Sequence, residues 1–212
     1  MTSSNRRRSS TPPSDAPDSR ERILVAAASE FRQKGLAGAR VDEIARIAGC
    51  NKNLIYYYFN DKSGLYAESL KRMIEQSHAR MDALEEGSRD LLDWLRRQAG
   101  IGSDIEADWR RLWLWEALDG TPGSITLRDE RTASFRLYQE RIEEAQASGR
   151  VRADLAPAMI AVSLLAMANF PQMFPQVVEL ITGNRPDDPR FQEMQDDFFL
   201  QFVAFLTPPD SN

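Results

Sequence analysis

The chain has 212 residues, enough for one sizeable core or for a small module joined to a larger one. Its 42% hydrophobic and 28% charged residues are those of a soluble globular protein, and a net charge of −5 alone signals no polyanion partner. The charge is unevenly spread, however. Residues 1–62 hold 11 Lys/Arg against 7 Asp/Glu, and residues 63–212 hold 16 against 25, so a mildly basic head precedes an acidic body.

A single cysteine, Cys50, excludes an internal disulfide and any multi-cysteine metal site. With His78 the only histidine, no metal centre is expected, and a reducing cytoplasm is the natural setting. Arg6, Arg7 and Arg8 are followed by SSTPPSDAPDS and not by an apolar run, so no secretory signal is expected there. Residues 1–17 combine Ser, Thr, Pro and Arg without apolar periodicity and read as a disordered tail, able at most to add a phosphate or minor-groove contact.

Order is expected from residue 18. Asp18 and Glu21 have the spacing of a capping box, and Leu24, Ala27, Ala28 and Phe31 share one helical face. Gly35 offers a left-handed stop. Val41, Ile44, Ala45 and Ala48 then mark a second short helix, Gly49 interrupts it, and Asn51 is a good N-cap for a third. Two short helices meeting at a glycine-containing turn form a helix-turn-helix, too small to bury its own apolar face without the helices on either side.

The third helix carries the chemistry. Asn51, Lys52 and Asn53 stand at its N-terminus, where free N–H groups and the helix dipole already favour phosphate, and Asn and Lys side chains can read adenine and guanine edges. Ile55 and Phe59, four apart, are expected to face inward, leaving Tyr56 and Tyr57 outward to reach phosphate, sugar or a thymine methyl. Tyr58 is expected to pack as core. Lys62 opens the next helix and is expected to grip the DNA backbone beside the groove.

Residues 23–70, most sharply GARVDEIARIAGCNKNLIYYYFNDKSGLYAESL, resemble the DNA-binding domain of the TetR family of transcriptional regulators. The matching positions are Val41, Ile44-Ala45, Ala48-Gly49, the run from Ile55 to Phe59, Lys62 and Leu65. The resemblance implies an all-α homodimer with an N-terminal three-helix DNA-binding domain, spanning 18–64, and a larger ligand-binding and dimerisation domain over 65–212. It further implies a regulator, expected to be a repressor, that holds a palindromic double-stranded DNA operator and releases it to a small-molecule effector. Position by position it makes Tyr56, Tyr57 and Lys62 DNA contacts, with Asn51, Lys52 and Asn53 entering the major groove. Many relatives carry a hydroxyl residue where this chain has Arg40, Asn51 and Leu54, so operator sequence does not transfer; Arg40 is expected to read guanine or hold a phosphate.

Beyond Lys62 the pattern is helical, with helices expected over about 62–85, 88–100, 104–118, 126–148, 154–182 and 188–206. In DWRRLWLWEALDG, Trp109, Leu112 and Trp113 share one face and Leu114, Trp115 and Leu118 another, which predicts a helix enclosed on both sides. Trp109, Trp113, Phe135, Tyr138, Met167, Phe170 and Met173 are the candidate lining of a site for a largely apolar or aromatic effector. Residues 155–178 carry no formal charge and are long enough to cross a bilayer, but contain Pro157, Asn169, Pro171, Gln172, Pro175 and Gln176 and lack a basic or aromatic belt, so no membrane span is expected. Pro171 and Pro175 should kink or break this helix.

Phe191, Met194, Phe198, Phe202 and Phe205 recur at helical spacing in the final helix. With the uncharged helix before it, they predict a homodimer closed through the last two helices as a four-helix bundle. That symmetry would set two recognition helices about 34–36 Å apart on successive turns of DNA. The competing classes are a helical protein-interaction adaptor and an enzyme without a recognisable catalytic motif. No nucleophile motif, Gly-rich phosphate loop or metal-ligand spacing supports the enzyme, so neither catalysis nor a cofactor is expected.

Overall fold

The computed structural model describes residues 16–85, 104–119 and 125–208. Every regular element among them is an α-helix, as the all-α expectation requires: α1 (Ala16–Gly38), α2 (Val41–Ala48), α3 (Lys52–Phe59), α4 (Lys62–Glu85), α5 (Asp104–Asp119), α6 (Arg128–Ala147), α7 (Pro157–Met173), α8 (Pro175–Thr182) and α9 (Pro189–Leu206). Arg6 to Arg8 and the helix expected over 88–100 lie outside the described residues. The chain divides into two compact units, Met1–Ser69 and Leu70–Asn212, with the division inside α4.

In the first unit, α1 packs against α2 and α2 against α3. Ile23, Leu24, Ala27 and Phe31 of α1, Ile44 of α2, Ile55 and Phe59 of α3 and Leu65 and Tyr66 of α4 are all under 5% exposed and form one core. The Phe31 and Tyr66 rings meet edge to face at 5.0 Å. At roughly 1.5–3 kcal/mol per fully buried Leu, Ile or Phe, this core supplies what a two-helix motif alone cannot. Arg20 adds a further clasp: its guanidinium lies 5.4 Å over the Phe59 ring and pairs with Glu68, tying α1 to the end of α3 and to α4.

Two sequence expectations change here. Asp18 is not the N-cap of α1, because the helix starts at Ala16; Asp18 sits in its first turn and pairs with Arg22 one turn on, where the dipole favours an acid. Gly35 takes a left-handed φ of 66°, as a stop would, but with ψ 179° it kinks α1 instead of ending it, and the last turn resumes to Gly38.

In the second unit, Tyr138, Ile142 and Ala145 of α6, Ile160, Ala161 and Leu164 of α7 and Phe199, Val203 and Leu206 of α9 make one buried cluster with Val151. Gln146 braces the loop between α6 and α7, donating through Nε2 to the Arg152 and Leu155 carbonyls at 2.9 and 2.8 Å. The stripe Phe191, Met194, Phe198, Phe202 and Phe205 is not a uniform face. Phe191 is buried and Phe202 half-buried, whereas Met194, Phe198 and Phe205 are more than half exposed. Likewise α5 is not enclosed on both sides: Leu112 is buried but Leu118 is 75% exposed.

The uncharged helix breaks as the prolines require. α7 ends at Met173, α8 starts at Pro175, and the two are bent by 92°. Pro171 itself lies inside α7. Among the described residues, no single helix is long and apolar enough to cross a membrane, although this bent pair passes by length and composition.

Candidate nucleic-acid interface

The turn between α2 and α3 is built by Gly49 at φ 64°, ψ 39°. The Cys50 N–H reaches the Ala45 carbonyl at 3.0 Å and the Gly49 N–H reaches that of Arg46 at 3.3 Å, the paired hydrogen bonds of a Schellman stop, which a residue bearing Cβ would enter only with strain. Two residues later Asn51, extended at φ −81°, accepts the Asn53 N–H on its side-chain oxygen at 2.9 Å and so starts α3. The short turn thus fixes where the third helix begins and which way it rolls.

That roll is unambiguous. Ile55 and Phe59 are 0% and 4% exposed beneath α3, while Tyr56 and Tyr57 are 40% and 66% exposed above it. Asn51 and Asn53 are exposed at the N-terminus. Tyr58 is half-buried at the side; Tyr57 meets its ring edge to face at 5.4 Å, and Phe59 lies against it at 6.0 Å. The four consecutive aromatics therefore divide between anchor and display.

Three of the cations around this helix, Lys52, Arg46 and Lys62, are already engaged. Lys52 Nζ stands 2.8 Å from Asp42 Oδ1 of α2 and lies 5.9 Å over the Tyr56 ring. The hydrogen bond to Asp42 holds its ammonium above the ordinary lysine value. Arg46 forks onto Glu43 at 2.9 and 2.6 Å, holding that carboxyl below the usual glutamate range. Lys62 donates to the Ala37 and Ala39 carbonyls at 3.2 and 3.3 Å, fastening the start of α4 to the end of α1. Arg40 is exposed and its backbone N–H is bound at 3.1 Å by Glu30, a 3%-exposed carboxylate that also takes the Lys34 ammonium at 2.8 Å. Neither Asp42 nor Glu30 stood out in the sequence, since each acts through a partner ten residues away. Cys50 is half-buried, and burial pushes its thiol up.

The aromatic candidates in the body separate into groups. Trp109, Trp113 and Phe135 form a ladder across α5 and α6, with centroids 6.1 and 6.4 Å apart. Arg131 lies 5.6 Å over Trp109 and forks onto Glu116 at 2.8 and 2.9 Å. Trp109 Nε1 donates to Ser77 of α4 at 3.0 Å, and His78 Nε2 is 2.8 Å from Ser134 Oγ of α6, which makes the lone histidine an inter-helix residue. Tyr138 belongs to the buried cluster of α6, α7 and α9, where desolvation drives its phenol well up, and the half-buried Met167 packs against that cluster. Phe170, 43% exposed, lies 5.2 Å from Phe174 at the bend, and Met173 is half-buried beside it in sequence. Among the described residues no group of three His, Cys, Asp or Glu is placed to hold a metal.

A capped short helix that buries one edge in a helical core and shows an amide- and phenol-bearing edge to solvent is the recognition element of a helix-turn-helix DNA-binding protein. Comparison with known proteins narrows the class. A family model described as bacterial regulatory proteins, tetR family, matches residues 23–68, and one described as the C-terminal domain of tetracyclin repressor-like proteins matches residues 90–194. The HTH-type transcriptional repressor SCO4008 of Streptomyces coelicolor is 28% identical over 170 residues, 80% of this chain and 86% of that protein. The HTH-type transcriptional regulator RutR of Escherichia coli is 29% identical over 171 residues, 76% of this chain and 77% of that one. Among solved structures, a TetR-family regulator from Rhodococcus shares the fold at TM-score 0.64 and 23% identity, covering 91% of this chain and 100% of its own. A transcriptional regulator from Saccharomonospora viridis in complex with choline does so at 0.65 and 21%, covering 89% and 96%.

The chain is a DNA-binding transcriptional regulator. It belongs to the TetR family, and the named relatives are transcriptional regulators, not enzymes.

Proposed function

We propose that this regulator is a repressor that binds a palindromic DNA operator as a homodimer and releases it when a small, largely apolar or aromatic effector occupies the second unit. The observation that carries the reading is the exposed edge of α3, with Asn51, Lys52, Asn53, Tyr56 and Tyr57 above the buried Ile55 and Phe59. Asparagine and lysine at the helix start enter the major groove, while Tyr56 and Tyr57 take phosphate and sugar. Arg40 at the start of α2 and Lys62 at the start of α4 flank them; Lys62 has a third N–H to offer phosphate beyond its two carbonyl bonds.

Dimerisation through the helices after residue 154 is supported by apolar side chains left open there: Met159 and Val162 of α7, Leu180 and Ile181 of α8, and Met194, Phe198 and Phe205 of α9 are all at least half exposed. Such a concentration on one end of the chain matches an isologous interface. The Trp109–Trp113–Phe135 ladder is the centre of the effector reading; Tyr138 and Met167 pack in a separate buried cluster, and Phe170 and Met173 lie near the bend between α7 and α8. A reducing cytoplasm suits a chain whose one cysteine flanks the recognition helix. Release requires only that effector favour one arrangement of α4 over the other.

Selection of bound fragments from random duplexes by the purified chain tests the reading. A recovered inverted repeat with half-sites one or two turns apart is expected. Uniform affinity for every duplex sinks the proposal, and unchanged affinity for the recovered repeat across a panel of aromatic and apolar compounds sinks its effector half.

A further inference from the structure

The peptide that opens α2 is held at both ends. Its carbonyl, on Ala39, accepts Lys62 Nζ of α4 at 3.3 Å, and its N–H, on Arg40, donates to Glu30 Oε1 of α1 at 3.1 Å. The Glu30 side chain is 3% exposed and takes the Lys34 ammonium at 2.8 Å, so it is a fixed acceptor with its charge matched. Its bond to Arg40 is the half of a capping box that runs back to the N-cap N–H, supplied here from another helix. That leaves the side chain at position 40 without a capping task, and arginine, which has no acceptor, performs none. The two carboxylates in the first turn of α2 are already taken, Asp42 by Lys52 at 2.8 Å and Glu43 by the Arg46 fork. Arg40 is exposed and, among the described residues, its guanidinium makes no hydrogen bond or ion pair, in contrast to Lys52, Arg46 and Lys62. The Asp42–Lys52 pair also sets the start of α2 beside the start of α3, so this open cation stands next to the recognition helix.

We infer that Glu30 is a positioning residue for DNA binding that acts through Arg40: by fixing the Ala39–Arg40 peptide it holds the start of α2 so that the Arg40 guanidinium meets a phosphate flanking the groove that α3 enters. This rests on the reading of α3 as the DNA-contacting helix. A backbone fixed before the duplex arrives spares the contact the cost of ordering the turn, so the same phosphate bond contributes more when Glu30 is in place.

The test is a double-mutant cycle on the full chain, with Glu30→Met, Arg40→Met and the double variant beside wild type. Each is titrated with the duplex recovered by selection, over a range of salt and at a temperature where thermal unfolding shows all four folded. Methionine keeps the volume of Glu30 without its acceptor, and Lys34, 43% exposed, can turn to water. Arg40→Met should flatten the salt slope by about one per half-site and weaken binding by about three- to tenfold at low salt. Glu30→Met should weaken binding by about threefold or more, but by less than about twofold once Arg40 is already methionine. Glu30→Gln, which keeps an accepting oxygen for the Arg40 N–H, should restore most of the affinity. An equal loss from Glu30→Met with and without the Arg40 guanidinium means a general loosening of the first unit, and overturns the inference. So does an unchanged salt slope for Arg40→Met, or wild-type affinity for Glu30→Met. If Glu30→Met does not fold, Glu30→Ala takes its place in the cycle. Any of these failures with a wild-type chain that still selects its duplex leaves the regulator reading standing; a wild-type chain that binds no duplex overturns both.

Discussion

Gln195 of α9 donates through Nε2 to the Met167 carbonyl at 2.9 Å, the acceptor that Pro171, four residues further along α7 and without an N–H, cannot serve. A proline inside a helix is tolerated here because a neighbouring helix supplies the missing donor. Gln195→Ala should therefore cost about 1–2 kcal/mol, the penalty for an orphaned carbonyl in a part-buried setting. The same substitution should cost less in a Pro171→Ala background, where the backbone serves Met167 itself. Urea unfolding of the four proteins measures the coupling, and strict additivity would contradict the account.

Glu30 plays a comparable part in the first unit. The carboxylate satisfies the Arg40 N–H at the start of α2, a position where the N-cap side chain makes no capping bond of its own. Glu30→Ala should lower stability by about 1–3 kcal/mol, and Glu30→Gln, which keeps an accepting oxygen, by less. Thermal unfolding of both variants checks the order.

Tyr57 tests the interface without testing the fold. At 66% exposure its ring contributes little to burial, so Tyr57→Ala should leave unfolding within about 0.5 kcal/mol of wild type. Affinity for the selected duplex should nonetheless fall by about tenfold, equivalent to about 1.4 kcal/mol. Equal affinity would remove Tyr57 from the contact surface.

Phe198, 60% exposed on α9, probes assembly in the same way. Phe198→Asp places a charge on a surface expected to be covered by the partner, so sedimentation should register a monomer that still unfolds cooperatively. Binding to the full inverted repeat should fall towards that of a single half-site.

Local rules made much of this legible in advance. Period and capping chemistry alone gave the inward Ile55 and Phe59, the Asn51 cap, the Gly49 turn and the break near Pro175, because each depends on residues within a turn or two of one another. What escaped was long-range. Lys62 finds its carbonyls 23 and 25 residues away, and Lys52 its carboxylate ten residues back, in geometries that no spacing announces. α9 shows a further limit: Phe199, Val203 and Leu206 face the core while Met194, Phe198 and Phe205 do not, and a helix apolar around so much of its circumference does not declare which stripe turns inward. The aromatic candidates in the body divided for the same reason, since composition marked Tyr138 and Trp113 alike although only Tyr138 lies in the buried cluster.

The length of α4 sets the gearing of any response. Its 24 residues make a rod of about 36 Å at 1.5 Å per residue. A pivot of about 5° at one end carries the other through about 3 Å, close to the 3.4 Å step between stacked base pairs. A helix of two turns would need about three times that angle to achieve the same travel, so the proposed release asks only a small rotation of an uninterrupted α4.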